Sequence, residues 1–305
     1  MSGLSLADIL PRLRCPRSGQ PLERAGQTLR TADGAQIYPL EADVPDLRQA
    51  PERLQLDLPW FEPWQELDAL RFDPPEPIQA RDLPHHLDPW LASVPDERGD
   101  GRWVLEVGCG ERQCEDWFSA RDYRYVGADV DHRGIGPHVR VDAHNLPIVD
   151  DGFDLYLSLA VYEHLASPLL AAREGMRVLR PGGLFLGTAA FVYKFHDRAS
   201  FHHMTHAGLL FTLRMAGFEV LRIWPDWRWT DAIPVMAFPP GPEGKPWRLA
   251  ASAGLKTLDW TFTRSSDLMR RLLRRPRLDR RLRDTEMAGS LSFVARKPGG
   301  EAPRG

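Results

Sequence analysis

The sequence predicts an α/β fold in which a mostly parallel sheet holds a nucleotide-like ligand. The first observation is the stretch from Trp103 to Phe118, WVLEVGCGERQCEDWF, where a short apolar run precedes a glycine turn and a segment that can be helical. Such a run is typical of a buried parallel strand. Gly108 and Gly110 permit a turn tight enough to bring the backbone close to a ligand. Glu106 lies near the carboxyl end of this strand.

The second observation is an acidic residue at the end of the next predicted strand. This strand runs from Tyr125 to Ala128 and is followed by Asp129. A carboxylate about 20 residues beyond the glycine turn is suited to bind the two ribose hydroxyls of a nucleotide. A third short strand, in VRVDAHNL, is followed by Asp142 and Ala143, and a fourth lies in GFDLYLSL.

In order and spacing, these segments resemble the class I S-adenosylmethionine-dependent methyltransferases. The RVLRPGGLF run from Arg177 to Phe185 resembles the turn into the fifth strand of that family. The resemblance implies a seven-stranded, mostly parallel Rossmann-like sheet and S-adenosyl-L-methionine as the cofactor. It also implies that the glycine turn faces the methionine half, Asp129 the ribose and Asp142 the adenine. The implied cofactor-binding residues are Glu106, Gly108, Cys109, Gly110, Asp129, Val130, Asp142, Ala143 and Leu159.

The residues at two positions of the turn leave the identity of the ligand undecided. Arg112 stands where the methyltransferase family often has a third glycine, and Gln113 stands where a nicotinamide-binding GxGxxG motif needs one. The alternatives are therefore a nicotinamide-dependent oxidoreductase on the same sheet and a doubly wound domain that binds no nucleotide.

Composition sets the broad class of the protein. The 305 residues are 43% hydrophobic and 27% charged, with a net charge of −3, so no global field attracts nucleic acid. No apolar run is long enough to span a membrane, and the N-terminus lacks the pattern of a secretory signal. Three cysteines give no disulfide framework. These features predict a cytoplasmic protein.

Residues 1–49 form a predicted small β-rich module. The pieces LADIL, CPRSGQPL and YPLEADVPDL resemble the zinc-ribbon activator of tRNA and rRNA methyltransferases. The resemblance places the zinc ligands at Cys15, Ser18, Thr31 and Gly34, of which only one is a cysteine. A closed structural zinc site needs four ligands, so we expect no zinc here. The module is either an appendage packed on the core or an activator that orders the catalytic domain or covers substrate.

Residues 50–98 form a predicted bridge or lid before the catalytic domain, which we assign to residues 99–298. The bridge is rich in proline, which blocks long helices, and in aromatic residues such as Trp60 and Trp90 that favour packing. A linker attached to the surface by these aromatics is the alternative.

The loop after the fifth strand supplies the candidate catalytic residues. Its sequence, FVYKFHDRASFHHMTHAGLL, resembles methyltransferases of surface-glycan and natural-product gene clusters. His196 is the first candidate for a general base and His164, in VYEHL, the second, although positioning alone can drive methyl transfer. His202 and His206 have helical spacing, but Thr205 is a predicted N-cap that places His202 in a loop, so we expect no metal site.

The C-terminal part contains a predicted helical insertion, residues 230–286, before a last strand from Ser290 to Pro298 and a tail, residues 299–305. Nine arginines lie between Arg264 and Arg283. The pattern favours a solvated helix face, and contact with an anionic membrane or substrate is the alternative. The predicted function is methyl transfer from S-adenosylmethionine to a small molecule. The alternative is a catalytically degenerate module that binds cofactor or supports a partner.

Overall fold

A computed structural model describes residues 4–49, 69–73, 99–131, 134–196, 200–239, 241–277 and 279–299. Most of the predicted bridge 50–98, Asp197 beside His196, and the tail beyond Gly299 lie outside the described residues. The described residues contain a four-stranded and a seven-stranded sheet.

The N-terminal part is a small antiparallel sheet preceded by short helices. Helix α1 is followed directly by a 3₁₀ turn that contains Pro11. The elements are α1 (Leu6–Ile9), the 3₁₀ turn (Leu10–Arg12), β1 (Leu22–Ala25), β2 (Thr28–Thr31), β3 (Ile37–Glu41) and β4 (Val44–Pro45).

The large sheet has the strand order β10-β11-β9-β8-β5-β6-β7. Strand β11 is antiparallel to both of its neighbours, while the pairs among β5 to β9 are parallel. The fold class predicted from the sequence is therefore confirmed. The strands are β5 (Trp103–Val107), β6 (Arg124–Asp129), β7 (Val139–Arg140), β8 (Phe153–Ser158), β9 (Leu179–Ala190), β10 (Glu219–Trp227) and β11 (Ser290–Arg296).

Helices connect the strands and form the insertion before β11. The helix that follows the glycine turn begins at Glu115, after Arg112, whose positive φ of 55° is not helical. None of the described helices is long and apolar enough to cross a membrane. The helices are α2 (Glu115–Ser119), α3 (Pro168–Val178), α4 (His206–Met215), α5 (Trp229–Ala237), α6 (Lys245–Leu272) and α7 (Arg280–Glu286).

The core lies on both faces of the large sheet. All five side chains of β5 are buried, as expected for a central parallel strand. Aromatic rings from β8, β9 and β11 pack edge to face, with centroids 4.7 Å apart for Tyr156 and Phe185 and 4.8 Å apart for Phe185 and Phe293. This packing holds the strand ends that form the site in fixed positions.

Strand order determines where a ligand can bind. After β5 the chain first adds β6 and β7 on one side of β5 and then adds β8 on the other. Connections that leave in opposite directions open a crevice at the carboxyl ends of β5 and β8, which is the usual ligand site of open α/β sheets.

The N-terminal sheet is attached to the edge of the large sheet beside β7. The amide of Leu47 donates to the carbonyl of Arg140 at 2.8 Å, and the amide of Arg14 donates to the carbonyl of Pro147 at 2.8 Å. The Arg12 guanidinium lies over the Trp103 ring, 3.7 Å from its centroid. Backbone pairing and cation–π contact therefore join residues 4–49 to the large sheet.

Candidate functional site

A cleft with a volume of about 320 Å³ opens at the carboxyl ends of β5 and β8. Its volume falls within the range of small-molecule sites. One side is formed by the glycine turn, and the other by the segment that follows β8 together with residues at the neighbouring ends of β9, β10 and β11. Its lining residues are Glu106, Gly108, Cys109, Gly110, Glu111, Gln113, Cys114, Leu159, Ala160, Glu163, Thr188, Ala190, Asp226 and Ser290.

Both glycines of the turn have a positive φ, and Gly108 also lacks space for a side chain. Gly108 has a φ of 81°, and a Cβ atom there would overlap the side chain of Val161. Gly110 has a φ of 51°, and no other atom lies within 4 Å of where its Cβ would be. The turn thus packs closely on the segment after β8 at Gly108 and leaves open space at Gly110.

Glu106 is a buried carboxyl group at the base of the cleft. It accepts hydrogen bonds from the hydroxyl of Tyr125 and, at 3.7 Å, from the thiol of Cys114. Burial raises the pKa of Glu106 to about 7, although these hydrogen bonds act in the opposite direction. Its charge therefore changes near neutral pH.

Asp129 is connected directly to the glycine turn. One carboxylate oxygen accepts from the amide of Gly110 at 2.9 Å, and the other accepts from the amide of Asp131 at 3.0 Å. The next residue, Val130, is 57% exposed, and its carbonyl accepts from Arg48 of the N-terminal part at 3.0 Å. The side chain predicted to bind ribose therefore lies at the rim of the turn.

Asp142 belongs to a chain of hydrogen bonds that the sequence does not predict. Its Oδ1 lies 2.6 Å from Nδ1 of His144, whose Nε2 accepts from the amide of Ser167 at 3.1 Å. Because Nε2 accepts, Nδ1 must carry the proton that is donated to Asp142. The hydrogen bond from His144 lowers the pKa of Asp142, so the carboxyl group is ionised.

The structure brings together only part of the predicted cofactor set. Glu106, Gly108, Cys109, Gly110 and Leu159 line the cleft, and Asp129 joins them through Gly110. Val130, Asp142 and Ala143 lie further along the same sheet edge and are not among the lining residues. The roles of all these residues remain predictions.

The two histidine candidates for a general base come together. The rings of His164 and His196 have centroids 4.8 Å apart, and Nε2 of His196 lies 3.8 Å from Oε1 of Glu163. Glu163 lines the cleft and is missed by the sequence analysis, although it directly precedes His164 in VYEHL.

The other two histidines, His202 and His206, contact different parts of the structure. Thr205 caps α4 by accepting from the amide of Gly208, as predicted. His202 contacts the carbonyl of Ala166 at 3.3 Å, while His206 packs edge to face on Phe72. Among the described residues, the His, Cys, Asp and Glu side chains whose ligand atoms converge are instead Glu163, His164 and His196.

Comparisons with known proteins define the class of the domain. Residues 105–187 match the family described as methyltransferase domain. An uncharacterized methyltransferase of Mycobacterium ulcerans is 33% identical over 138 residues, which cover 39% of this chain and 52% of that protein. A protein of Mycolicibacterium smegmatis, named probable S-adenosylmethionine-dependent methyltransferase, is 35% identical over 141 residues, covering 39% and 53%.

A solved S-adenosylmethionine-dependent methyltransferase from Mesorhizobium loti shares 17% identity at a TM-score of 0.43, covering 69% of this chain and 97% of its own. The chain spans about half the length of the two mycobacterial relatives. Residues 105–187 thus match a methyltransferase domain, and both mycobacterial relatives are named as methyltransferases. The predicted cofactor, S-adenosyl-L-methionine, is the cofactor of this domain class.

Proposed function

We propose that this protein transfers the methyl group of S-adenosylmethionine to a small-molecule acceptor. The observation that carries the proposal is the two-sided cleft within the methyltransferase domain. The glycine turn and Asp129 form a side suited to the cofactor. The opposite side presents the polar side chains of Glu163, Thr188, Asp226 and Ser290 to an acceptor.

On the cofactor side, Gly110 and Cys109 offer close backbone approach to the methionine half, and Asp129 accepts from the ribose hydroxyls. Two charge-assisted hydrogen bonds to one carboxylate fix the sugar. Asp142 and Val130, further along the same edge, contact the adenine. Arg48 of the N-terminal part donates a hydrogen bond to the carbonyl of Val130 and so stabilises this end of the site.

On the acceptor side, positioning supplies most of the rate, because methyl transfer from a sulfonium is intrinsically favourable. Where the acceptor must lose a proton, His196 takes it, and His164 is the second candidate. His196 is oriented by its neighbours, since its Nδ1 lies 3.1 Å from the carbonyl of Lys194.

We further propose that residues 1–49 are a zinc-free counterpart of the zinc-ribbon activator. Cys15 is buried and contacts the hydroxyl of Tyr38 at 3.1 Å, and Thr31 bonds Asp33 at 2.6 Å. Hydrogen bonds thus occupy two of the four positions where the resemblance places zinc ligands. The main-chain bonds to β7 replace the intermolecular contact that a separate activator would make.

The test is transfer of a labelled methyl group from S-adenosylmethionine into a metabolite extract, followed by mass spectrometry of the labelled products. We expect S-adenosylhomocysteine and a labelled small molecule to form in equal amounts. The matched control is Asp129→Ala, which should reduce both. Cofactor binding without transfer to any metabolite would instead favour a degenerate, cofactor-holding module.

A further inference from the structure

Glu163, His164 and His196 form an unassigned cluster, which we call the Glu-His-His cluster. Each offers one ligand atom, and these atoms lie within 4.8 Å of one another. Glu163 and His164 come from the 3₁₀ turn after β8, and His196 comes from the loop after β9. The cluster lies at the cleft because Glu163 lines it.

The carboxylate of Glu163 is incompletely paired. The side chain is 3% exposed, and its Oε2 has no hydrogen-bond partner among the described residues. Its position is fixed, since its carbonyl accepts from the amides of Phe201 at 2.7 Å and His202 at 3.2 Å. A buried carboxylate oxygen without a donor is costly, so the site is incomplete without a positive group.

The lone pair on Nε2 of His196 faces the carboxylate of Glu163. A carbonyl oxygen only accepts, so Nδ1, which lies 3.1 Å from the carbonyl of Lys194, carries the proton. In the neutral ring, Nε2 is then an acceptor that faces Oε1 of Glu163 at 3.8 Å. Metal-binding histidines usually have this arrangement, with the second ring nitrogen bonded to a carbonyl.

We propose that the Glu-His-His cluster binds one divalent transition-metal ion, of the kind represented by Zn²⁺ and Mn²⁺. Two imidazoles and one carboxylate are ligands that these ions share, and three protein ligands leave further positions open. Ligand atoms around one zinc ion lie roughly 3.4 Å apart, so the cluster closes by about 1 Å on binding.

The ion identifies the acceptor class, an inference that rests on the proposed function. An open metal position beside the cleft binds an oxygen atom and lowers the pKa of a bound hydroxyl group. The acceptor is therefore a hydroxyl or enol compound that binds the metal through oxygen. With the ion in place, His196 holds the metal instead of taking the proton, and the proton lost from the metal-bound hydroxyl group passes to solvent water.

Isothermal titration of Zn²⁺ and of Mn²⁺ into the full chain, freed of metal with a chelator, tests the site without cofactor or substrate. We expect one stoichiometric ion that binds at least about tenfold more weakly in E163Q and in H196A. The matched control is H202A, because His202 lies in the same loop and contacts Ala166 outside the cluster.

Absence of stoichiometric binding of both ions, or equal affinity in E163Q and the wild type, overturns the proposal. If E163Q fails to fold, H164A and H196A decide the question. Failure of the metal site leaves cofactor binding intact, which is measured separately, so the two proposals fail independently.

A second inference rests on helix α6. Large apolar side chains recur along one face of this helix at intervals such as four, seven and eleven residues. They are between 56% and 71% exposed, while Thr263 on the opposite face is buried. This apolar stripe consists of Trp247, Leu258, Phe262, Met269 and Leu272, together with Leu273 directly after the helix.

Unpaired positive charge lies at the C-terminal end of the apolar stripe. Arg280 pairs with Asp267 at 2.7 Å, and Arg283 pairs with Asp259. By contrast, Arg271, Arg274, Arg275 and Arg277 are exposed and form no ion pair with any residue that the structure describes. The solvated face expected from the arginine run is therefore joined to an exposed apolar surface.

We propose that α6 lies on an anionic lipid surface. Charge complementarity favours a lipid surface, because the arginines can pair with acidic headgroups. The tryptophan, phenylalanine and leucine side chains then enter the interface between headgroups and acyl chains. The helix lies on the bilayer and does not cross it, consistent with the membrane-span result for the described helices.

Flotation of the full chain with vesicles tests the second proposal. We expect binding to phosphatidylcholine vesicles that contain roughly one third phosphatidylglycerol, and much weaker binding to phosphatidylcholine alone. Arg274→Glu with Arg275→Glu, or Phe262→Ser, should reduce it, while Arg30→Glu on the exposed face of β2 should not. Equal binding to both vesicle types, or a dimer that Phe262→Ser separates, would overturn the proposal.

Discussion

Glu106 gives the most direct test of the electrostatics at the base of the cleft. Burial raises its pKa from an ordinary 4.5 to about 7 in the folded protein. The protonated form is therefore favoured by the fold. The corresponding stability is fully present below about pH 4.5 and is lost as the pH rises through about 7.

The size of the effect follows from this difference in pKa. One pKa unit corresponds to about 1.4 kcal/mol, so the folded protein loses about 3 kcal/mol across the whole window, most of it between about pH 5 and pH 8. Glu106→Gln removes the titration and keeps an acceptor for Tyr125. The free energy of unfolding of this variant should therefore rise relative to the wild type as the pH increases.

Urea unfolding of both proteins without ligand, at several values from about pH 5 to pH 8, measures the difference. Glu115→Gln is a suitable control, because the pKa of Glu115 is lowered and its carboxylate does not titrate in this range. Burial raises this pKa, but the hydrogen bond and charge of His138, with the charge of Arg112, lower it by more. A constant difference between wild type and Glu106→Gln across this range would refute the argument that burial controls the charge of Glu106.

Three further predictions concern the cofactor, zinc and catalysis. Asp129→Ala should weaken binding of S-adenosylhomocysteine by about 1–3 kcal/mol in calorimetry while the protein still folds. Unchanged affinity would show that another residue binds the ribose. Cys15→Ala should leave the zinc content of the purified protein unchanged, and loss of a stoichiometric zinc ion would contradict the zinc-free module. His196→Ala should reduce turnover by roughly 100-fold or more at unchanged cofactor affinity. A wild-type rate there, with loss of activity in His164→Ala, would transfer the role to His164.

The strands and the glycine turn could be predicted because each depends on local sequence. The apolar run of β5, the acid that ends β6 and the N-cap of α4 at Thr205 all depend on residues close in the chain. The last strand was predicted from Ser290, and the structure begins β11 at that residue. Periodicity and capping carry this information without knowledge of distant contacts.

Long-range contacts account for what the sequence did not predict. The Glu-His-His cluster joins two segments more than 30 residues apart, which the parallel pairing of β8 with β9 brings together. Arg112 itself adopts a left-handed conformation, and its guanidinium lies 2.9 Å from the carboxylate of Glu115, so the missing glycine does not remove the turn. The hydrogen bonds through His144 likewise depend on Ser167, at the start of α3.

Calorimetric titration of the purified chain with S-adenosylhomocysteine, and separately with NADH, determines which of the two ligands the cleft binds. Binding of S-adenosylhomocysteine at one site per chain, lost or strongly weakened in Asp129→Ala, is the predicted result. The account would be contradicted by binding of NADH without binding of S-adenosylhomocysteine, which would assign the cleft to a nicotinamide dinucleotide.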